Sequence, residues 1–204
     1  MKTDFRYLKE AEAIAGPLGK PSKMPGYAYG LPARNCPIGS ILVKIKGTVC
    51  HGCYALKGRY TFAPVLACQQ RRLASITHPR WVEAMVFMIR YRRAVYFRWH
   101  DSGDLQGPEH FRRICEIAEH CPNTHFWLPT RERTIVRGVQ TPENLVVRVS
   151  ATMIDGPAPY GFINTSTVTT KGDASCPARF TGGQCGSCRS CWDPDVANVS
   201  YPKH

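Results

Sequence analysis

Apolar residues recur at helical spacing over residues 79–93, where Trp81, Met85, Met88 and Ile89 share one face behind Pro79. A second stripe, Phe111, Ile114, Cys115 and Ala118, predicts a helix opened by Pro108 and running to residue 120. Weaker patterns predict helices over 4–15 and 60–76 and a short one within "TRERTIVRGVQ". Between these lie compact apolar runs: "AVYFRW" (94–99), "THFWLP" (124–129) and "NLVVRVSAT" (144–152) read as strands, and "YGFINTSTVTT" (160–170) as a fourth. "ILVKIK" (41–46) alternates as a short strand would. Strands alternating with helices imply parallel βαβ units. The expected fold is α/β: a partial (β/α) barrel of four to six mainly parallel strands, with any site at their carboxyl ends.

The whole chain reads as a single domain, 1–204, in three parts. Residues 1–35 form an irregular lead-in, because "GPLGKPSKMPGYAYGLPARN" is too rich in Gly and Pro for long regular structure. The α/β core is assigned to 36–170. The tail, 171–204, is rich in Cys, Gly, Ser and Pro and has little apolar material to bury, so it needs a staple to hold it irregular but ordered. The chain is 43% hydrophobic and 21% charged, which argues against wholesale disorder. No apolar run is long enough for a membrane span, and the N-terminus lacks the apolar centre of a secretion signal, so a cytoplasmic protein is expected.

A formal charge of +12 brings a polyanion, nucleic acid in particular, into view as a partner. Arg71, Arg72, Arg80, Arg90, Arg92, Arg93 and Arg98 form the densest basic set. The competing explanation is a solvated helix face together with cations that offset anionic metal–thiolate sites.

Ten cysteines change the picture more than the charge does. Without a secretion signal, metal binding is a better account of them than a disulfide framework. Cys185, Cys188 and Cys191 form a C-x2-C-x2-C run, and Cys176, followed by Pro177, precedes it. Two-residue gaps let neighbouring thiolates face one centre, and iron–sulfur proteins use such runs with a remaining ligand often followed by Pro. This favours a [4Fe-4S] cluster over zinc, whose four-cysteine sites pair two separated C-x2-C elements. Upstream, Cys50 and Cys53 form a tight pair, and 13 residues separate Cys36 from Cys50. Three cysteines leave a fourth position open to an exogenous ligand, His51 or Cys68. Cys68, Cys115 and Cys121 otherwise read as packed thiols. "RWHDSGD" sets His100, Asp101 and Asp104 after a strand, as either a functional loop or a helix cap and turn. Trp99 and Trp127 read as core, and Thr130 as a helix N-cap.

The ordered motifs "CHGCYALKG", "RWHDSGDL", "FWLPTRE" and "VVRVSATMIDG", followed by the cysteine tail, resemble the phage-encoded gene product 88 family over residues 24–195. More distantly they are similar to the radical S-adenosylmethionine (SAM) superfamily. That resemblance implies a partial barrel in which Cys36, Cys50 and Cys53 bind a [4Fe-4S] cluster whose open iron takes SAM. Asp101, Ser102, Gly103 and Asp104 would stand where the superfamily contacts the SAM amino group. Arg148 and Ser150 would meet its carboxylate or ribose, and Cys176, Cys185, Cys188 and Cys191 would hold an auxiliary cluster. A reductant is then an implied partner, and the host cytoplasm the implied location. Three departures stand out: the long gap after Cys36, the strand-like "ILVKIK" between the first two cysteines, and the shorter acids of "DSGD". The expected function is iron–sulfur binding with reductive radical or redox chemistry on an unread substrate. The alternative is a non-enzymatic iron–sulfur protein with a basic nucleic-acid-binding surface.

Overall fold

Six strands are built where the chain offers short apolar or alternating runs: β1 (Tyr27–Tyr29), β2 (Tyr96–Trp99), β3 (His125–Thr130), β4 (Leu145–Ser150), β5 (Thr165–Thr169) and β6 (Asn198–Pro202). The computed structural model describes residues 1–203. The strands lie in sequential order and every neighbouring pair is parallel, giving an open, all-parallel α/β sheet of partial-barrel type. Helices are α1 (Leu8–Ala15), α2 (Pro37–Leu42), α3 (Ala63–Ser75), α4 (Trp81–Tyr91), α5 (Pro108–His120) and α6 (Arg133–Val136). Among the described residues, no helix is long and apolar enough to cross a membrane.

The period-2 alternation of the strands separates two faces. Phe97, Trp99, Phe126, Leu128, Leu145 and Val149 pack against α1, α4 and α5 in the main core. Helix α5 shows how the pattern works: Phe111, Ile114, Ile117 and Ala118 are buried, while Arg112 pairs outward with Glu109 and Glu116. On the opposite face Trp127 meets Cys191, Trp192 and Val199 in a second, smaller core supplied by the tail. The sheet is therefore covered by helices on one side and by the cysteine-rich segment on the other.

The predicted helices at 4–15, 60–76, 79–93 and 108–120 and the four central strands match the structure within a few residues. Three expectations are corrected. "ILVKIK" is the end of α2 followed by turns, because Pro37 opens a helix there. Leu42 is the buried residue, while Ile41 and Ile45 are exposed, so no strand face exists. The lead-in contributes β1, and the tail contributes β6; both strands are ordered by a neighbour that sequence pattern does not reveal.

Gly26, just before β1, has φ +74°, and a Cβ there would collide with the Tyr96 carbonyl oxygen. Gly26→Ala is expected to cost at least about 2 kcal/mol in chemical denaturation, through left-handed strain and the clash with the backbone of β2.

Candidate functional site

Cys36, Cys50 and Cys53 all fall between β1 and β2, and local structure gives each a fixed setting. Cys36 is the N-cap of α2, with Pro37 at the first helical position, and the nearby Gly39 amide favours its thiolate. A side chain at 39 has no room: an added Cβ would lie 2.6 Å from the Cys36 sulfur. Residues 49–52 form a 3-10 turn in which Thr48 accepts from the His51 N–H and the Cys53 N–H donates to Cys50 O at 3.0 Å. This turn is docked on the chain leaving β4, with the Val49 N–H donating to Thr152 O at 2.9 Å. It is also tied to the end of β2, since the Tyr54 hydroxyl donates to Asp101 O at 2.6 Å. The three cysteines thus belong to the carboxyl end of the sheet. The ordered strand before them is β1, and no strand separates Cys36 from Cys50.

The tail cysteines are arranged by the other face. Cys176 repeats the setting of Cys36: it caps a 3-10 turn with Pro177 first, and its φ and ψ, −72° and 118°, lie close to the −68° and 114° of Cys36. Its N–H donates to Ser200 O at 2.9 Å, and the Cys185 N–H donates to Lys23 O at 2.9 Å, so lead-in, tail and β6 converge. Cys191 is buried, its sulfur 3.1 Å from the Tyr201 hydroxyl, and the Cys188 thiol donates to Ser190 at 3.4 Å.

Arg148 holds this arrangement. It is fully buried, and its five N–H groups go to five carbonyls: Cys191 at 3.0 Å, Thr165 at 3.4 Å, Val196 at 2.7 Å, Ser190 at 2.7 Å and Asp193 at 2.6 Å. A guanidinium has no further donors, so none is left here for a bound anion. Trp192 completes the lock, its indole N–H donating to Phe97 O at 3.0 Å and its ring meeting Trp127 edge-on.

Within each set the thiols influence one another. Burial pushes the Cys36 thiol up to about 12, with Asp104 and Cys50 adding to it. Burial also raises Cys50, with Cys53 contributing, and raises Cys185, with Cys176 and Cys188 contributing. Cys191 is raised to about 11, chiefly by burial, with Cys176 adding to it. Among the described residues, no three His, Cys, Asp or Glu side chains converge closely enough to hold a metal ion. Each set is gathered by its backbone, with its sulfurs in electrostatic range of one another.

The other expected site residues are engaged by the protein itself. Asp101 takes the Tyr60 hydroxyl on its carboxylate at 3.1 Å and stays partly exposed. Ser102 donates to Leu31 O and accepts from Gln69, while Gly103, at φ +76°, lies against Leu31. Asp104 is buried and accepts from Thr130, Arg131 and Leu105; burial nevertheless raises its carboxyl to about 6. Ser150 accepts from Ser166 at 3.0 Å. His51 contacts Val43 O, and Cys68 lies on α3. Of the seven arginines in the basic set, Arg72 bonds Pro17 O and Gly30 O, Arg80 pairs with Glu83, Arg90 bonds His120 O, Arg92 pairs with Glu12 and the partly exposed Arg98 stacks on Trp127, leaving Arg71 and Arg93 exposed and without such a bond.

Sequence reasoning missed Tyr54, Tyr60, Arg98, Trp192 and Tyr201. Arg98 and Tyr201 carried a signal: alternation in "YFRW" sets Tyr96 and Arg98 opposite Phe97 and Trp99, and that in "NVSYP" sets Val199 and Tyr201 together. Tyr54 and Tyr60 carried none, since their partner Asp101 lies more than 40 residues away.

The fold and site define a class: an open parallel α/β protein with one cysteine group at the carboxyl end of its sheet and another pinned over one face. The family model described as "Gene product 88" matches residues 5–194, and the chain belongs to that family. No curated protein and no solved structure matches it.

Two predictions follow from these contacts. Arg148→Met withdraws its donors from five carbonyls, two of which, Val196 O and Asp193 O, keep a bond from Asn164 and from the Val196 N–H, so it is expected to cost at least about 3 kcal/mol and to expose the tail to limited proteolysis. Lysine, with three donors, restores only part. The second concerns His100 and His110, whose rings are 5.3 Å apart beside Trp99 and Trp81. Both His100 nitrogens and His110 Nε2 are buried without partners. Burial holds His100 well below its usual range and His110 down to about 4. The unfolded chain takes up protons first, so stability is full above ~6.5 and falls as pH drops towards 4, by ~3 kcal/mol for His110 alone. Asp104, with its raised carboxyl, works in the opposite direction, gaining stability as pH falls below about 6. Two imidazoles outweigh one carboxyl. His110→Gln is expected to flatten the pH dependence of the denaturation midpoint over that window.

Proposed function

We propose that this protein binds two iron–sulfur clusters and that its first cysteine set serves SAM-dependent reductive radical chemistry. The observation that carries this reading is topological. Cys36, Cys50 and Cys53 all lie in the connection from β1 to β2, above the carboxyl end of a sequential parallel sheet. That is where open parallel folds build their sites. It also removes one departure from the radical-SAM plan, since "ILVKIK" is not a strand. The chemistry of the donor set fits the group: three free thiols, Cys50 buried and Cys36 and Cys53 partly so, with the Gly39 amide near the Cys36 sulfur.

When bound, a four-iron cluster on three cysteines supplies an electron at low potential and one open iron position. The chain's own residues do the rest. Tyr54 and Tyr60 hold the loop after β2 so that the half-exposed Asp101 carboxylate is available to a ligand's amino group. Cys176, Cys185, Cys188 and Cys191 hold the second cluster, with Arg148 fixing the backbone that presents them.

Anaerobic reconstitution tests the reading. Iron and acid-labile sulfide are expected at two clusters per chain, with Cys50→Ser/Cys53→Ser and Cys185→Ser/Cys188→Ser each removing one. Dithionite and SAM are then expected to yield 5′-deoxyadenosine, and not from the Cys50→Ser/Cys53→Ser variant. A colourless, zinc-loaded, iron-free protein would overturn the proposal, and cluster without 5′-deoxyadenosine would overturn its SAM part.

A further inference from the structure

Arg98, partly exposed beside the second core, carries one buried donor that the described residues leave without an acceptor. It extends from β2 on the tail face, with its guanidinium over the Trp127 ring at 4.5 Å from the centroid. Trp127 packs in turn on Trp192 and Cys191. Arg98 Nη2 donates to the Tyr54 hydroxyl at 3.4 Å, a long bond, and its Nε is buried with no partner. Among the described residues no carboxylate lies within ion-pair distance of it. Arg148, on the same face, has every donor satisfied. Arg189, stacked on Tyr96, spends its Nη1 on the Gly186 and Cys188 carbonyls.

A guanidinium does not deprotonate in a protein, so Arg98 stays charged in this partly buried setting. A desolvated donor without an acceptor is retained at a cost unless something opposes it. Tyr54, Tyr60 and Asp101 lie towards the first cysteine set, and Tyr201, Cys185 and Cys191 towards the second. Asp101 already accepts from Tyr60 and is partly exposed. The cysteines alone in this group become fully anionic when they take a metal.

We infer that Arg98 is a positioning residue for the tail centre: its free guanidinium edge opposes the charge of a cluster held by Cys176, Cys185, Cys188 and Cys191. This rests on the proposed iron–sulfur reading and adds a consequence to it. Four thiolates give such a cluster net negative charge, and accepting one electron from a reductant adds another unit. A fixed cation in a low-dielectric site stabilises the reduced form more than the oxidised one. Arg98 therefore raises the reduction potential of the tail cluster.

The test uses the full chain carrying Cys50→Ser and Cys53→Ser, so that the tail centre titrates alone. Iron and sulfide content of this parent report on the iron–sulfur reading. The midpoint potential, followed by EPR during dithionite titration, reports on Arg98. Arg98→Met is expected to keep its cluster and titrate at lower potential, and Arg98→Lys to recover most of the difference. Loss of cluster in Arg98→Met but not in Arg98→Lys also supports a charge role. An unchanged midpoint in Arg98→Met, a lysine variant no better than methionine, or loss of cluster from both would overturn the inference while leaving the iron–sulfur reading intact. A parent that takes up no cluster overturns both.

Discussion

The arrangement of this protein depends on one buried guanidinium. Arg148 reaches from the middle of β4 into a segment that has little apolar surface, and binds it through four backbone carbonyls, with a fifth bond to Thr165 O on β5. Charge-assisted bonds to carbonyls suit that task, because the segment supplies backbone oxygens in abundance and almost nothing to bury. With the backbone held, Trp192 can dock on Trp127, and the chain returns to add β6 beside β5. Asn164 assists from the same side, donating to Pro194 and Val196 carbonyls. The cysteines are presented as a by-product of this clamp, since Ser190 and Cys191 belong to both.

The two cysteine sets are built by different means towards a similar local result. The first is fastened by loops: Val49 to Thr152 on one side and Tyr54 to Asp101 on the other tie it to the ends of β4 and β2. The second is fastened through the face of the sheet. Yet Cys36 and Cys176 occupy nearly the same backbone conformation, each ahead of a proline that starts a helical turn. Such a turn directs amides back towards the sulfur, which suits a thiolate.

Much of this was legible in the chain. Helices α4 and α5 and strands β2, β3 and β4 carry strong periodicity because each buries one face against a continuous core. The spacing of Cys185, Cys188 and Cys191 identified the tail as a unit. "ILVKIK" misled because alternation over six residues also fits a short helix end, and which of its apolar residues is buried depends on the docking of α2. β1 and β6 are three and five residues long, and they become strands only through the neighbours that pair with them.

The sequence by itself determined the parallel α/β class, the helical face of the core, the two groups of cysteines and the family to which the chain belongs. These rest on local periodicity and spacing, which are written in neighbouring residues. Tertiary structure alone decided that Arg148 is spent on the tail, that Ser102 and Asp104 brace their own loop, and that Arg98 lies over Trp127 with its Nε unpartnered. Those roles depend on partners tens of residues away, and a side chain's chemistry says what it can bond, while only the fold says what it meets.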